Sequence, residues 1–435
     1  MSPYSLRRIA GLALPALIVL AAEPIYVLVD TAVVGHLGSV SLAALAIGGT
    51  VMSAAAWLGT VMAYGTTGRA ARRFGAGDRA AAVAEGVQAS WLAFGVGLAL
   101  ALVMQVAAGP LARALAGGHS DLASAAEEWL RIAALGAPGL LLAAAGNGWM
   151  RGVQDTRRPL YYVLGANVFS AVLCPILVYP AGLGLTGSAV ANIVAQSVAG
   201  VLFARALVAE RVSLRPRPEV IGQQLLHGRD LLIRGSAFQA CFLSATAVAA
   251  RFGTAVVAAH QITVQLWFLC ALALDAVAIA AQSLVGAALG AGEDRAARDL
   301  GRRIALIGGV SGAAFAVVIG AGAGVVPGWF SNDPAVHEQA MVAWPWFVAL
   351  LPLAGVVYAL DGVLIGAGDA RYLRNATIVA ALGGFLPVIW LAYALDAGLG
   401  GIWAGLSLFI VLRLVTLLLR MRSGAWAVVG AVRRA

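Results

Sequence analysis

The feature that most constrains this chain is the recurrence of apolar runs about twenty residues or more in length, each long enough to cross a bilayer as a helix. They fall near 9–36, 42–67, 89–112, 129–150, 160–180, 184–208, 231–250, 255–289, 304–327, 340–366, 375–395 and 399–420. Hydrophobic residues make up 61% of the sequence and charged residues only 11%, whereas a soluble domain is about 45–50% apolar. Backbone polar groups in lipid must be satisfied within the segment, so runs of this kind fold as helices. The chain is therefore predicted to be an all-α membrane protein with twelve transmembrane helices and no soluble domain between them. The first run is too long for a cleaved signal peptide and is read as a retained helix.

A net charge of +9 would suggest nucleic acid in a soluble protein. Here the basic residues, all of them arginine, concentrate in alternate loops, the pattern of cytoplasmic loops. With a cytoplasmic N-terminus, only Arg113, Arg131 and Arg251 fall outside the inward-facing segments, which include Arg234, Arg413, Arg433 and Arg434. This predicts a multi-pass protein of the cell (plasma) membrane with both termini in the cytoplasm and no nucleic-acid partner. Arginine without lysine, with abundant alanine and glycine, fits a GC-rich bacterial genome. The glycine-bearing turns contain no G-x-x-x-x-G-K-[ST], which excludes a P-loop. Cys174, Cys241 and Cys270 lie in apolar stretches without metal or redox spacing and are expected to be buried spectators.

The chain repeats itself. "FGAGDRAAA" at 74–82 returns as "LGAGEDRAAR" at 289–298, and "NGWMRGVQDTR" at 147–157 returns as "DGVLIGAGDAR" at 361–371. "HLGSVSLAALAI" from 36 matches "RFGTAVVAAHQI" from 251, so three blocks share an offset of 214 or 215. Duplication is the expected origin. Six spans per repeat puts both copies in the membrane in one orientation, related by a pseudo-two-fold axis along the membrane normal. The expected organisation is an N-terminal six-helix bundle over 1–208, a basic, proline-bearing linker over 209–228 and a C-terminal six-helix bundle over 229–435.

Polar residues within apolar spans are the candidate site. In "AAEPIYVLVDTAVVGHLG", residues 21–38, Asp30 lies 21 residues beyond Ile9, about 30 Å along a helix. A buried charge there costs at least about 2.5–3.5 kcal/mol on insertion scales, and intramembrane acids are functional by default. An apolar setting disfavours the charged carboxylate, which places Asp30 to exchange a proton. Glu23 sits two turns below on a similar face and is either a second proton site or one half of a structural pair. Pro15 and Pro24 remove backbone donors and mark a bend in this helix. The acids are not duplicated: Asp30 maps to Ala245, Asp275 to Thr60 and Gln282 to Thr67, whereas Asn147 maps to Asp361. Asp275 is a third candidate proton carrier. Asn147, Asn167, Asn192, Gln196, His260, Gln265, Gln282 and Asp361 are candidates for a polar network around a cavity. A lone His such as His260 is more often a satisfied helix contact. No catalytic, cofactor-binding or metal-ligating set stands out.

"ALPALIVLAAEPIYVLVDTAVVGHLG", the "FGAGD" loop, "RGVQDTR" and "ALDAVAIAAQSLVGAALGAGE" together resemble the multidrug and toxic compound extrusion (MATE) family, in particular its DNA-damage-inducible protein F branch. The resemblance spans the whole chain. It implies two six-helix bundles around a V-shaped central cavity, in a monomer that exchanges protons or sodium for organic, often cationic or amphiphilic, compounds by alternating access. It matches the family's first-helix acid to Asp30, its bend proline to Pro15, its fourth-helix Asn to Asn147 and an eighth-helix acid to Asp275. The sequence departs from the family's N-x-x-N-x-x-x-D-P pattern in the fifth span: Asn167 and Pro175 match, but Ser170 and Cys174 replace the second Asn and the Asp. The sixth-helix Thr is Asn192, and Gln282 stands where the branch often has Glu. These losses fall on the family's sodium site and favour protons, with an ion gradient and no cofactor. A lipid-linked precursor flippase of the same superfamily is the alternative; it should carry cations inside its cavity, and arginine is almost absent from the span interiors read here. An intramembrane lipid-modifying enzyme should show an acid–His or metal constellation, and none is read.

Overall fold

Helix is continuous through almost every predicted span in the computed structural model, which describes residues 5–432. Among the described residues, twelve helices are long and apolar enough to cross a membrane: α1 Leu6–Gly35, α2 Ser39–Gly75, α3 Arg79–Leu115, α4 Ser120–Gly152, α5 Arg157–Val178, α6 Gly184–Ala209, α7 Pro218–Phe252, α8 Thr254–Gly290, α9 Asp294–Ala321, α10 Pro334–Gly366, α11 Ala370–Ala394 and α12 Gly398–Ser423. Helix α1 runs unbroken through Pro15 and Pro24. Helix α4 tightens into a 3₁₀ turn over Ala134–Gly136, just before Pro138, where the ring removes a backbone donor. Helix α11 holds a π-helical turn over Ala381–Phe385, which contains the paired glycines Gly383 and Gly384. Arg433 and Arg434 lie outside the described residues.

The duplication is visible in backbone geometry. Gly38 ends the first turn at φ 119°, ψ 170°, and Gly253 repeats it at φ 121°, ψ 170°, a conformation open essentially only to glycine. Positive φ recurs at Gly77 and Gly292, at Gln154 and Gly368, and at Gly182 and Asp396. Asp78 then caps α3, accepting from the Ala81 amide at 2.8 Å.

The chain divides into two compact units, Leu14–Gly228 and the stretch from Arg229 onward with the start of α1 through Ala13. The first eleven residues of α7, expected as linker, are helical and belong to the first unit. Inside each unit the fourth helix of the repeat is central: α4 packs on α2, α3 and α6, and α10 packs on α8, α9 and α12. The same small residues permit both approaches. A Cβ on Gly148 would stand 2.7 Å from the Ala63 carbonyl oxygen, and one on Gly362 would collide with that of Ala278. Without glycine at these positions the helices could not approach as closely, and small residues at such crossings are how membrane helices gain contact.

Candidate functional site

A cavity of about 770 Å³ opens inside the first unit. Glu23 and Asp30 of α1, Asn147 of α4, Asn167 of α5 and Asn192 and Gln196 of α6 all line it. The first repeat's predicted polar residues are thus gathered around one space. Four helices deliver them, α1 and α6 with two residues each and α4 and α5 with one each.

Asp30 is the most enclosed of these groups, at 5% exposure. The Cys174 thiol donates to its Oδ1 at 3.2 Å, and the Ser188 hydroxyl lies near the same carboxyl. Trp129 Nε1 reaches the Ser188 hydroxyl at 3.4 Å, a long contact that continues the chain into the wall of the cavity. Cys174 is therefore not a spectator, as the sequence suggested. The contact links residues 144 positions apart, so spacing could not disclose it. Cys241 and Cys270 are simply buried.

Glu23 differs. It is exposed, lines the cavity and has no ion-pair or hydrogen-bond partner among the described residues, so it is not half of a structural pair. Tyr26, one turn from each acid, is buried, with its hydroxyl near Ser170 and Asn192 but in good hydrogen-bond geometry with neither. Asn147 Oδ1 is also buried without a partner among the described residues. Arg151, one turn beyond Asn147, lines the cavity too and is only 4% exposed. Arg151 lies four residues after Asn147 within the same helix.

The second unit does not repeat this site. Asp361, the counterpart of Asn147, is held by Arg234 Nη2 at 2.5 Å and Arg413 Nη2 at 2.6 Å. Both guanidinium groups also lie over the Phe238 ring, at 5.3 and 4.7 Å. Arg234 and Arg413 thus sit within α7 and α12 rather than in loops, so arginine is not almost absent from the spans. Asp275 is half-buried in α8, and Tyr358 lies within electrostatic reach of both it and this triad. His260 is not a satisfied contact: it is 2% exposed, its ring meets Trp403 edge-on at 6.2 Å, and neither nitrogen has a partner among the described residues. Gln282 is buried with both amide atoms unpartnered, and Gln265 is exposed. These residues do not join the cavity of the first unit. Among the described residues there is no group of three His, Cys, Asp or Glu that could hold a metal ion.

A duplicated twelve-helix membrane scaffold with intramembrane acids around a cavity is the architecture of a solute transporter. The chain belongs to the MatE family, the multidrug and toxic compound extrusion transporters, whose model matches residues 15–176 and 232–391. Its members are transporters, not enzymes. The chain is 33% identical to Protein DETOXIFICATION 44, chloroplastic, of Arabidopsis thaliana, over 96% of this chain and 83% of the relative. It is 30% identical to DNA damage-inducible protein F of Escherichia coli, over 95% and 92%. Among solved structures, "Crystal structure of MATE in the bent conformation" superposes with a TM-score of 0.86 at 23% identity, covering 96% of this chain and 94% of that one. An outward-facing multidrug resistance MATE family transporter gives the same TM-score and identity, with 96% of each chain covered. These likenesses establish the fold.

Proposed function

We propose that this protein is a proton-coupled antiporter that exports organic cations and amphiphiles across a cell membrane, working as a monomer with both termini in the cytoplasm. The observation that carries this reading is the setting of Asp30. Its neighbours are a thiol and a hydroxyl. A carboxyl with weak donors and little water can take and release a proton. Sodium, a hard cation, wants several oxygen ligands, and Cys174 places sulfur where the family pattern has a carboxylate. A proton arriving from outside neutralises Asp30, the first bundle repacks, and the bound cation loses its attraction and leaves. Residues 1–208 and 229–435 then act as the two moving bundles of alternating access.

Purified protein in liposomes, loaded with a panel of lipophilic cationic dyes, tests this. Transport is expected when a pH gradient is imposed, and no response is expected to a sodium gradient at fixed, symmetric pH. Robust sodium-driven transport would sink the proton assignment. A lipid-linked precursor flippase remains the second reading, favoured by the guanidinium groups inside α7 and α12. Those groups already share Asp361, which favours the exporter.

A further inference from the structure

The cavity of the first unit contains more hydrogen-bonding capacity than the protein itself uses. Three groups of residues on its wall are unmet among the described residues: the Glu23 carboxylate, which is exposed, and Asn147 Oδ1 and the Tyr26 hydroxyl, which neighbouring atoms cover. The first two accept only; the third can accept as well as donate. Tyr26 is 7% exposed, so water reaches its hydroxyl poorly. By contrast, Asp30 already receives the Cys174 hydrogen bond and has the Ser188 hydroxyl beside it. The two acids on α1 are thus in different states, one shielded and bonded, one bare and facing the space.

We infer that Glu23 is the cation-recognition residue of this cavity, and that with Asn147 it selects ammonium ions bearing an N–H over permanently charged quaternary ammonium ions. This rests on the reading of the chain as an exporter of organic cations and names the substrate class of that same site. A quaternary ion satisfies the charge of Glu23 but donates nothing, so it leaves the acceptors dry. A protonated amine meets the charge and donates as well. Leaving a buried acceptor unpaired costs about 1–3 kcal/mol, and sites built for hydrogen bonds reject analogues that lack the donor far more strongly than apolar pockets reject a methyl group. Asp30, lying about 10 Å further along α1 at 1.5 Å per residue, is left free to handle the proton. The apolar remainder of the wall accepts the body of the solute, and its size suits a drug-sized molecule.

The test uses several arylalkyl tertiary amines, each paired with its N-methyl quaternary counterpart. Binding to the purified full-length protein is measured by titration calorimetry at neutral pH without any gradient. The wild type is expected to bind each amine about tenfold or more tightly than its quaternary partner. Glu23→Gln should weaken both members of every pair, because the charge is gone. Asn147→Leu should pull the ratio toward one, because the acceptor that tells the two members of a pair apart is gone. Glu23→Gln removes no contact within the protein, so it serves even where Asn147→Leu folds poorly. Equal binding within the pairs, or quaternary and amine affinities untouched by Glu23→Gln, would overturn the inference. Binding by neither member of any pair would overturn it together with the export reading. Export by proton-loaded liposomes separates the two ideas. Pairs bound equally but exported leave the antiporter standing without the selectivity; pairs bound selectively but not exported leave the site standing without the coupling.

Discussion

Asp30→Asn is expected to insert and fold normally and to lose proton-driven export by about tenfold or more. The amide mimics the neutral acid and removes an expensive buried charge, so the thermal midpoint should hold or rise. Cys174 and Ser188 find an oxygen in the same place. What disappears is the group that changes charge, and with it the step that makes the bound cation leave. Asp30→Glu keeps that group but lengthens it, and should retain part of the activity with a displaced pH optimum. Export must be normalised to folded protein. If Asp30 only packs the helices, the opposite follows: Asp30→Asn would lower stability and leave turnover per folded molecule intact. Glu23 and Asp275 would then be the next acids to substitute.

Asp361→Ala is expected to be the most destabilising single change in the second unit. It would leave Arg234 and Arg413 facing each other around the Phe238 ring with no anion between them. Arg413 is 2% exposed and cannot turn to water without unpacking α12. Breaking a buried pair by removing one partner typically costs about 3–5 kcal/mol, whereas replacing the whole charged set by apolar residues of similar volume is often neutral or stabilising. A triple change of Asp361, Arg234 and Arg413 to leucine should therefore recover much of the stability that Asp361→Ala loses. Thermal unfolding of both variants in detergent gives the comparison. A triple variant no more stable than Asp361→Ala would show that the triad contributes more than mutual neutralisation.

The helices were legible because a bilayer imposes length and apolarity, and all twelve runs carry both. The repeat was legible because glycines at positive φ and at helix crossings cannot be exchanged cheaply: Gly38 with Gly253, and Gly148 with Gly362. The gathering of Glu23, Asp30, Asn147, Asn167, Asn192 and Gln196 was legible only as a list, since apolar periodicity does not say which faces meet. What escaped the sequence was partnership. Cys174 reads as a small hydrophobe until α5 brings it to Asp30. Arg234 and Arg413 read as loop charges because long side chains flank apolar windows at both ends of a span. Their heads turn inward instead, because Asp361 on α10 offers a counter-charge there, and a contact between three different helices has no signature in spacing. His260 misled in the other direction: a histidine usually finds a partner, and this one has the Trp403 ring edge-on beside it.

The central claim is that one proton on Asp30 and one organic cation in the cavity of the first unit exclude each other. Linkage makes this measurable without any gradient, because mutually antagonistic ligands must displace one another. The wild-type protein in detergent, in weakly buffered solution with a pH indicator, is titrated with a saturating arylalkyl ammonium salt. The account predicts release of about one proton per protein molecule, unaffected by added sodium, and none from Asp30→Asn, whose amide mimics the protonated acid and weakens cation binding, even when the salt is raised until that variant is saturated. Binding without proton release by the wild type, or release that persists in Asp30→Asn, would contradict it.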